Sequence, residues 1–204
     1  LVRQHAGDTV TSFEIIPAGA IDMVMADIPG TRDPLPSGLP WRVLMEVSMV
    51  EEVHARAALE KALEAAFEQG LVKDGVVAAS KAQAQIFWHI RETIPLSKRA
   101  YGTAINQDIA VPVSRIPAFI DSCNAAVLKI VPSEATAPVL KAHVADITRV
   151  IFDQTMAHGG SISAEHGVGR LKRDELARLR PPAATDAMRA IKLALDPLGI
   201  MNPG

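Results

Sequence analysis

The chain of 204 residues holds one cysteine, Cys123. No disulfide can close within it, and a reducing compartment is expected, with the cytoplasm as the simplest assignment. Neither sign of charge dominates. The 21 Lys and Arg are interspersed with 23 Asp and Glu, for a net charge of −2. No basic face large enough for a phosphate backbone stands out, so nucleic acid is not expected as a partner. Long apolar runs are also lacking, and none approaches the roughly 20 residues that a membrane span needs. The opening Leu1-Val2-Arg3-Gln4-His5 has no apolar segment behind a basic start, unlike a secretory signal. There is no internal repeat and no low-complexity tract. A starting Met is missing, and the last four residues, Met201-Asn202-Pro203-Gly204, stop within a turn. Both ends are therefore expected to be internal to a longer chain.

What is present is an ordinary globular composition, 49% hydrophobic, with strand-like and helix-like segments in alternation. Residues 12–16 predict a short strand, and residues near 18–25 a helix. The four prolines and two glycines of residues 28–40 predict a loop. Residues 41–49 alternate, with Val43, Met45 and Val47 on one face, and predict a half-buried strand. The clearest helix is 51–69, with Leu59, Leu63, Ala66 and Phe67 as its stripe and Gly70 at its end. Residues 76–79 predict a buried strand. Residues 81–94 predict a helix ended by Pro95. Residues 105–111 alternate again, with Asn106 and Asp108 opposite Ile105, Ile109 and Val111. Ser114 is the predicted cap of a helix whose apolar side carries Ile116, Phe119, Cys123 and Val127. A long helix follows through Leu140, Val144, Ile147 and Ile151, closed by Gly159-Gly160. A last helix is expected after Thr185, with Met188, Ile191 and Leu195 facing inward. Periodicity alone leaves both α/β and α+β architectures open.

Three stretches could carry chemistry. The first is Gly159-Gly160-Ser161-Ile162-Ser163-Ala164-Glu165-His166-Gly167-Val168-Gly169-Arg170. Its glycines allow close approach or left-handed backbone. Its Glu165-His166 pair sets a hard oxygen donor beside a titratable base. A plain glycine-rich turn, whose Glu and His satisfy local amides, is the alternative. The spacing does not fit a dinucleotide or P-loop fingerprint. In the second stretch, residues 88–95, Arg91 could clamp a carboxylate bidentately or simply form an ion pair with a nearby acid such as Glu92 or Asp108. The third holds Asn106 and Asp108 on one strand face, either functional or turned to solvent. His143 and Asp146, three apart, could share a metal but have no evident third ligand. His54 and His158 suit solvated or capping roles. Cys123, on an apolar helix face, suits an inert buried thiol better than a nucleophile.

Taken in order, these stretches resemble the C-terminal half of the FAD-linked oxidases related to vanillyl-alcohol oxidase. Within them they are most similar to the D-lactate, glycolate and D-2-hydroxyglutarate dehydrogenase branch. The resemblance is carried by the run from Ser161 through Glu165-His166-Gly167-Val168-Gly169-Arg170 to Arg173, by Met188-Arg189-Ala190-Ile191-Lys192, and by the closing Asp196-Pro197-Leu198-Gly199-Ile200-Met201-Asn202-Pro203-Gly204. Residues 88–92 and 108–112 agree with it, as does Phe13-Glu14. The resemblance implies an α+β fold, a ferredoxin-like antiparallel cap sheet covered by helices. Residues 1–158 would form the substrate-binding cap, and residues 159–204 a helical segment that packs on an FAD-binding domain absent from this sequence. It further implies that His166 is the base that takes the hydroxyl proton while hydride leaves for the flavin. Glu165 would be one ligand of a divalent metal such as zinc, Arg91 and Asn106 would bind the substrate, and Asn202 would lie near the flavin. The implied partners are a small 2-hydroxyacid, the FAD-binding domain and an electron acceptor, either a quinone or a carrier protein. A homodimer is also open. The sequence alone is expected to be inactive.

Departures from the family pattern qualify this picture. The family usually carries a Gly-His-x-Gly-Asp-Gly-Asn-x-His segment with two histidine metal ligands. Here Ile130-Val131-Pro132 runs directly into Ser133-Glu134-Ala135-Thr136. One surviving carboxylate cannot make a specific metal site. Asn106 replaces a frequent Lys, and Pro95 a frequent Thr, so the substrate need not be the usual dicarboxylate. The preferred account is that segments of a longer chain stand joined without the missing piece, with a degenerate natural homologue as the rival. An intact mass near 21.8 kDa would exclude the first. A non-catalytic module of the same fold, binding a small acid or a partner subunit, remains the functional alternative.

Overall fold

The computed structural model describes residues 1–35, 38–100 and 104–201. The chain divides into two compact units, Leu1–Gly102 and Thr103–Gly204, each with its own packing.

In the first unit a short helix α1 (Val2–Ala6) leads to strand β1 (Val10–Pro17), helix α2 (Ala18–Asp27), strand β2 (Trp41–Val47), and helices α3 (Glu52–Glu68) and α4 (Lys81–Ala100). The strands pair antiparallel, with Glu14 opposite Leu44, Ile15 opposite Val43 and Ile16 opposite Arg42. Ile16, Ile21, Val24 and Ile90 form the core, with Leu44 and Ile94 packed against it. Each such side chain withdrawn from water contributes roughly 1.5–3 kcal/mol.

Alternation in β2 is as expected, but the apolar face is the open one. Phe13, Ile15, Trp41 and Val43 are all exposed. The face opposite them carries Glu14, Arg42 and Glu46, and each has a partner. Arg91 of α4 pairs with Glu14. Trp88 Nε1 donates to Glu46 at 2.8 Å, and Arg42 meets Asp33 at 3.1 Å. These polar ties bind α4 and the 28–40 loop to the sheet.

Several expectations need correction. Helix α4 runs through Pro95 rather than ending before it. Its packing against α2 outweighs the one backbone bond that proline removes. Residues 76–79 join no sheet. They lie outside regular structure, with Arg56 donating to the Ala78 carbonyl at 2.6 Å and the Ala79 amide donating to Gln83. In α3 the buried stripe is Ala58, Ala62 and Ala66, small residues that let α1 approach, while Phe67 is exposed.

The second unit contains helices α5 (Ile116–Val127), α6 (Ala137–Ala142), α7 (Val144–Ala157), α8 (Arg173–Leu179) and α9 (Pro182–Leu195). Its buried residues include Val131, Ile147, Phe152 and Ile162. The single long helix predicted through Leu140 and Ile151 is two, broken at His143. Ser114 lies in a 3₁₀ turn and makes no side-chain cap. Helix α9 begins at Pro182, three residues before Thr185, because proline fits a first helical turn. Its Met188, Ile191 and Leu195 are exposed rather than inward-facing. The residues predicted as a strand at 105–111 form one isolated bridge, Ala110 to Ser161. An α+β class describes the chain: largely helical, with a small antiparallel sheet.

Candidate functional site

The glycine-rich stretch begins where α7 ends. The Gly159 amide donates to the Met156 carbonyl at 3.0 Å, and the Gly160 amide to the Thr155 carbonyl at 2.8 Å. Gly159 adopts a left-handed φ of 73°. This pair of bonds is a Schellman cap, which satisfies the last carbonyls of the helix and turns the chain out of it. The bridge follows at once. The Ser161 amide donates to the Ala110 carbonyl at 2.8 Å, and the Ala110 amide to the Ser161 carbonyl at 2.9 Å.

Asp108 lies two residues before the bridge, and its carboxylate gathers the loop. Oδ1 accepts from the Glu165 amide at 2.9 Å. Oδ2 accepts from the His166 amide at 3.2 Å and from Ser163 Oγ at 3.3 Å. Lys172 Nζ lies 3.1 Å from Oδ2 and donates to the Asp108 carbonyl at 2.8 Å. The Glu165 amide, then Lys172 and the His166 amide, hold the Asp108 carboxyl well below the usual carboxylate range. Asp108 is therefore not turned to solvent, one of the two readings its alternation allowed. Sequence reasoning missed both its partners and Lys172. The available signal was a run of backbone amides, 163–167, with no regular partner and hence a need for an acceptor.

Glu165 and His166 project from this tied backbone with exposed side chains. They border an open groove of about 680 Å³ lined by residues 106–109 and 164–172. Asn106 is exposed and lines the same groove. The structure thus brings Asn106, Asp108, Glu165 and His166 together within the second unit. Arg91 belongs to the first unit, where it forms an ion pair with an acid, Glu14. Asn202 lies outside the described residues.

Among the described residues, no three His, Cys, Asp or Glu side chains gather in a way that could hold a metal. Among the described residues Glu165 gathers no co-ligands, so the divalent ion expected from the sequence does not fit this donor set. The α5–α6 link is short and closed on itself, with the Val131 amide bonded to Val127 and the Ala135 amide to Pro132, both at 3.0 Å. His143 and Asp146 approach to 3.4 Å without a third donor. His158 caps α7, its Nδ1 2.9 Å from the Gln154 carbonyl and its ring edge-on to Phe119. His54 lies 3.6 Å from Glu51. Burial pushes the Cys123 thiol up, in keeping with an inert side chain. The left-handed glycines Gly167 and Gly169 follow no strand, so the described residues build no strand–turn–helix cradle for a dinucleotide.

Comparison with known sequences places this geometry in context. The profile of the family described as FAD linked oxidases, C-terminal domain, matches residues 1–147 and 133–204. A mitochondrial D-2-hydroxyglutarate dehydrogenase of Arabidopsis thaliana is 30% identical over 219 residues, covering 98% of this chain and 38% of the relative. A D-2-hydroxyglutarate dehydrogenase of Stutzerimonas stutzeri is 33% identical, covering 96% and 46%. A mitochondrial one of Bos taurus is 28% identical, covering 98% and 39%. The chain therefore spans less than half the length of these curated relatives. No helix among the described residues is long and apolar enough to cross a membrane.

Proposed function

The chain belongs to the family of FAD linked oxidases, C-terminal domain, and we propose that it is the substrate-side part of a flavin-dependent dehydrogenase that oxidises a D-2-hydroxyacid to the 2-oxoacid. The observation that carries this reading is the Glu165-His166 turn, tied by its backbone and open at its side chains. In the reaction the substrate loses a proton from its hydroxyl and a hydride from the same carbon, leaving a carbonyl. The flavin, when bound, supplies the hydride acceptor. The His166 imidazole takes the hydroxyl proton as general base. Asn106, which lines the same groove, is proposed to hydrogen-bond the acid. No step is assigned to a metal, because Glu165 lacks companions.

Arg91 is the proposed anchor for the substrate carboxylate, which would share the guanidinium with Glu14. Asn202 is proposed to lie near the flavin. The exposed Met188, Ile191 and Leu195 of α9 support docking of residues 159–204 on an FAD-binding domain, with residues 1–158 as the cap. A quinone or carrier protein is the proposed electron acceptor. Relatives are named for D-2-hydroxyglutarate, but Asn106 and Pro95 favour leaving the acid class broad. The cytoplasm is proposed alongside the mitochondrion that several relatives' names carry. A second reading, a non-catalytic module that binds a small acid or a partner subunit, draws support from the open apolar face of Phe13, Ile15, Trp41 and Val43.

The test is the full-length, flavin-loaded protein with D-lactate, glycolate and D-2-hydroxyglutarate and an artificial dye. His166→Ala is expected to lower kcat by roughly 10²–10⁴ with flavin content unchanged. Undiminished turnover in that variant would remove His166 as the base. Absence of dye reduction by any 2-hydroxyacid would favour the module.

A further inference from the structure

We propose that Asp108 is the positioning residue of this site, with Lys172 as its counter-ion, and that together they set the backbone from which His166 acts. This rests on the reading of His166 as the base. Two successive amides, Glu165 and His166, point at the two oxygens of one carboxylate, at 2.9 and 3.2 Å. The two amides lie in successive peptide planes, so anchoring both constrains the φ and ψ of Glu165 between them and with them the position of the His166 Cα. A single bond would leave one of the two planes free to rock. Ser163 Oγ adds a third tie to the same carboxylate.

The carboxylate is itself immobilised from two sides. Lys172 Nζ spans its Oδ2 and its own backbone carbonyl, at 3.1 and 2.8 Å. The bridge two residues on, at Ala110 and Ser161, ties the two segments independently of any side chain. Asp108 and Lys172 are both partly covered, at 20% and 17% side-chain exposure, so water competes less for the bonds between these two than at an open surface. None of the bonds uses the His166 imidazole, which remains available to a substrate. The geometry is that of a rigid frame around a free base, and a misplacement near 1 Å in such a frame costs about 10²-fold in rate.

The experiment sets Asp108→Asn and Lys172→Met beside His166→Ala in the full-length, flavin-loaded protein. Asparagine keeps the size of the side chain but turns a donor towards one of the two amides. Asp108→Asn is expected to lower kcat by roughly 10- to 100-fold, with KM, flavin content and melting temperature little changed. Hydrogen exchange at the Glu165 and His166 amides should accelerate by about tenfold or more. Lys172→Met keeps the amide bonds and should give a smaller loss in the same direction. It serves as the decisive variant if Asp108→Asn does not fold. If His166→Ala is impaired while Asp108→Asn runs at full speed, the positioning role fails alone. A fully active His166→Ala removes the reading beneath it. Unchanged amide exchange in Asp108→Asn would overturn the anchor itself, whatever the activities.

Discussion

Gly159 and Gly160 stand side by side, yet glycine is needed for different reasons at the two. At Gly159 the left-handed backbone is the constraint, and a Cβ would meet nothing within 4 Å. At Gly160 the constraint is space. A Cβ would lie 2.2 Å from the Ala110 carbonyl oxygen and 2.8 Å from side-chain carbons of Thr155 and Val111. Backbone cannot yield as a flexible side chain does, so Gly160→Ala must push the 160–161 segment off the bridge. A destabilisation of roughly 1–3 kcal/mol is expected, with faster amide exchange at Ala110 and Ser161. An unchanged urea midpoint would mean that the two segments are not in close contact. The sequence made both glycines visible as the closure of a helix. Their distinct roles were illegible, because the second depends on Ala110, fifty residues away. Asp108 was hidden in the same way: alternation showed its face, but not that a distant loop would supply its donors.

At the scale of elements, apolar periodicity located the helices well and their ends poorly. Faces depend on spacing within a segment, whereas ends depend on neighbours. Packing of α4 on α2 carries that helix through Pro95, and His143 interrupts what reads as one apolar stripe. Residues 105–111 have the pattern of a strand, but a strand needs a partner, and the glycine-rich loop offers only one bridge. The end of α9 shows an element completed by a side chain. Asp196 is buried, and it accepts from Lys192 and from the amides of Ile200 and Met201, at 3.0 and 2.9 Å. Lys192, then those two amides, hold its carboxyl below the usual range. A depressed carboxylate stabilises above the unfolded value, near 3.9, and that stabilisation is lost as pH falls from there through the folded value. Exchange at Ile200 and Met201 should therefore stay slow from neutral pH to about 4 and accelerate below it, relative to the intrinsic rate. In Asp196→Asn it should be fast at pH 7 already. Protection that ignored both the acid and the substitution would show that the turn is held by other means.

At the scale of the whole molecule, the family and the α+β class were legible because they rest on long runs of residue types. The zinc expected at Glu165 found no support, since among the described residues no three such donors gather. Both the sequence and the structure pass directly from α5 to α6 through a closed link, 128–136. About 200 residues of this chain are spread over 219 aligned positions of the Arabidopsis relative, so some 20 positions there have no counterpart here. The family profile meets the chain in two pieces that overlap at 133–147. A carboxylate alone binds zinc too weakly to select it, since structural and catalytic zinc sites use three or four protein ligands. The purified chain is therefore expected to carry far less than one divalent metal per molecule by elemental analysis. Chelation should leave its melting temperature unchanged, and Glu165→Gln should not alter its metal content. One equivalent of zinc that survives gel filtration and is lost in Glu165→Gln would overturn this. It would require further donors to be drawn to Glu165 from elsewhere in the chain or from a second copy of it.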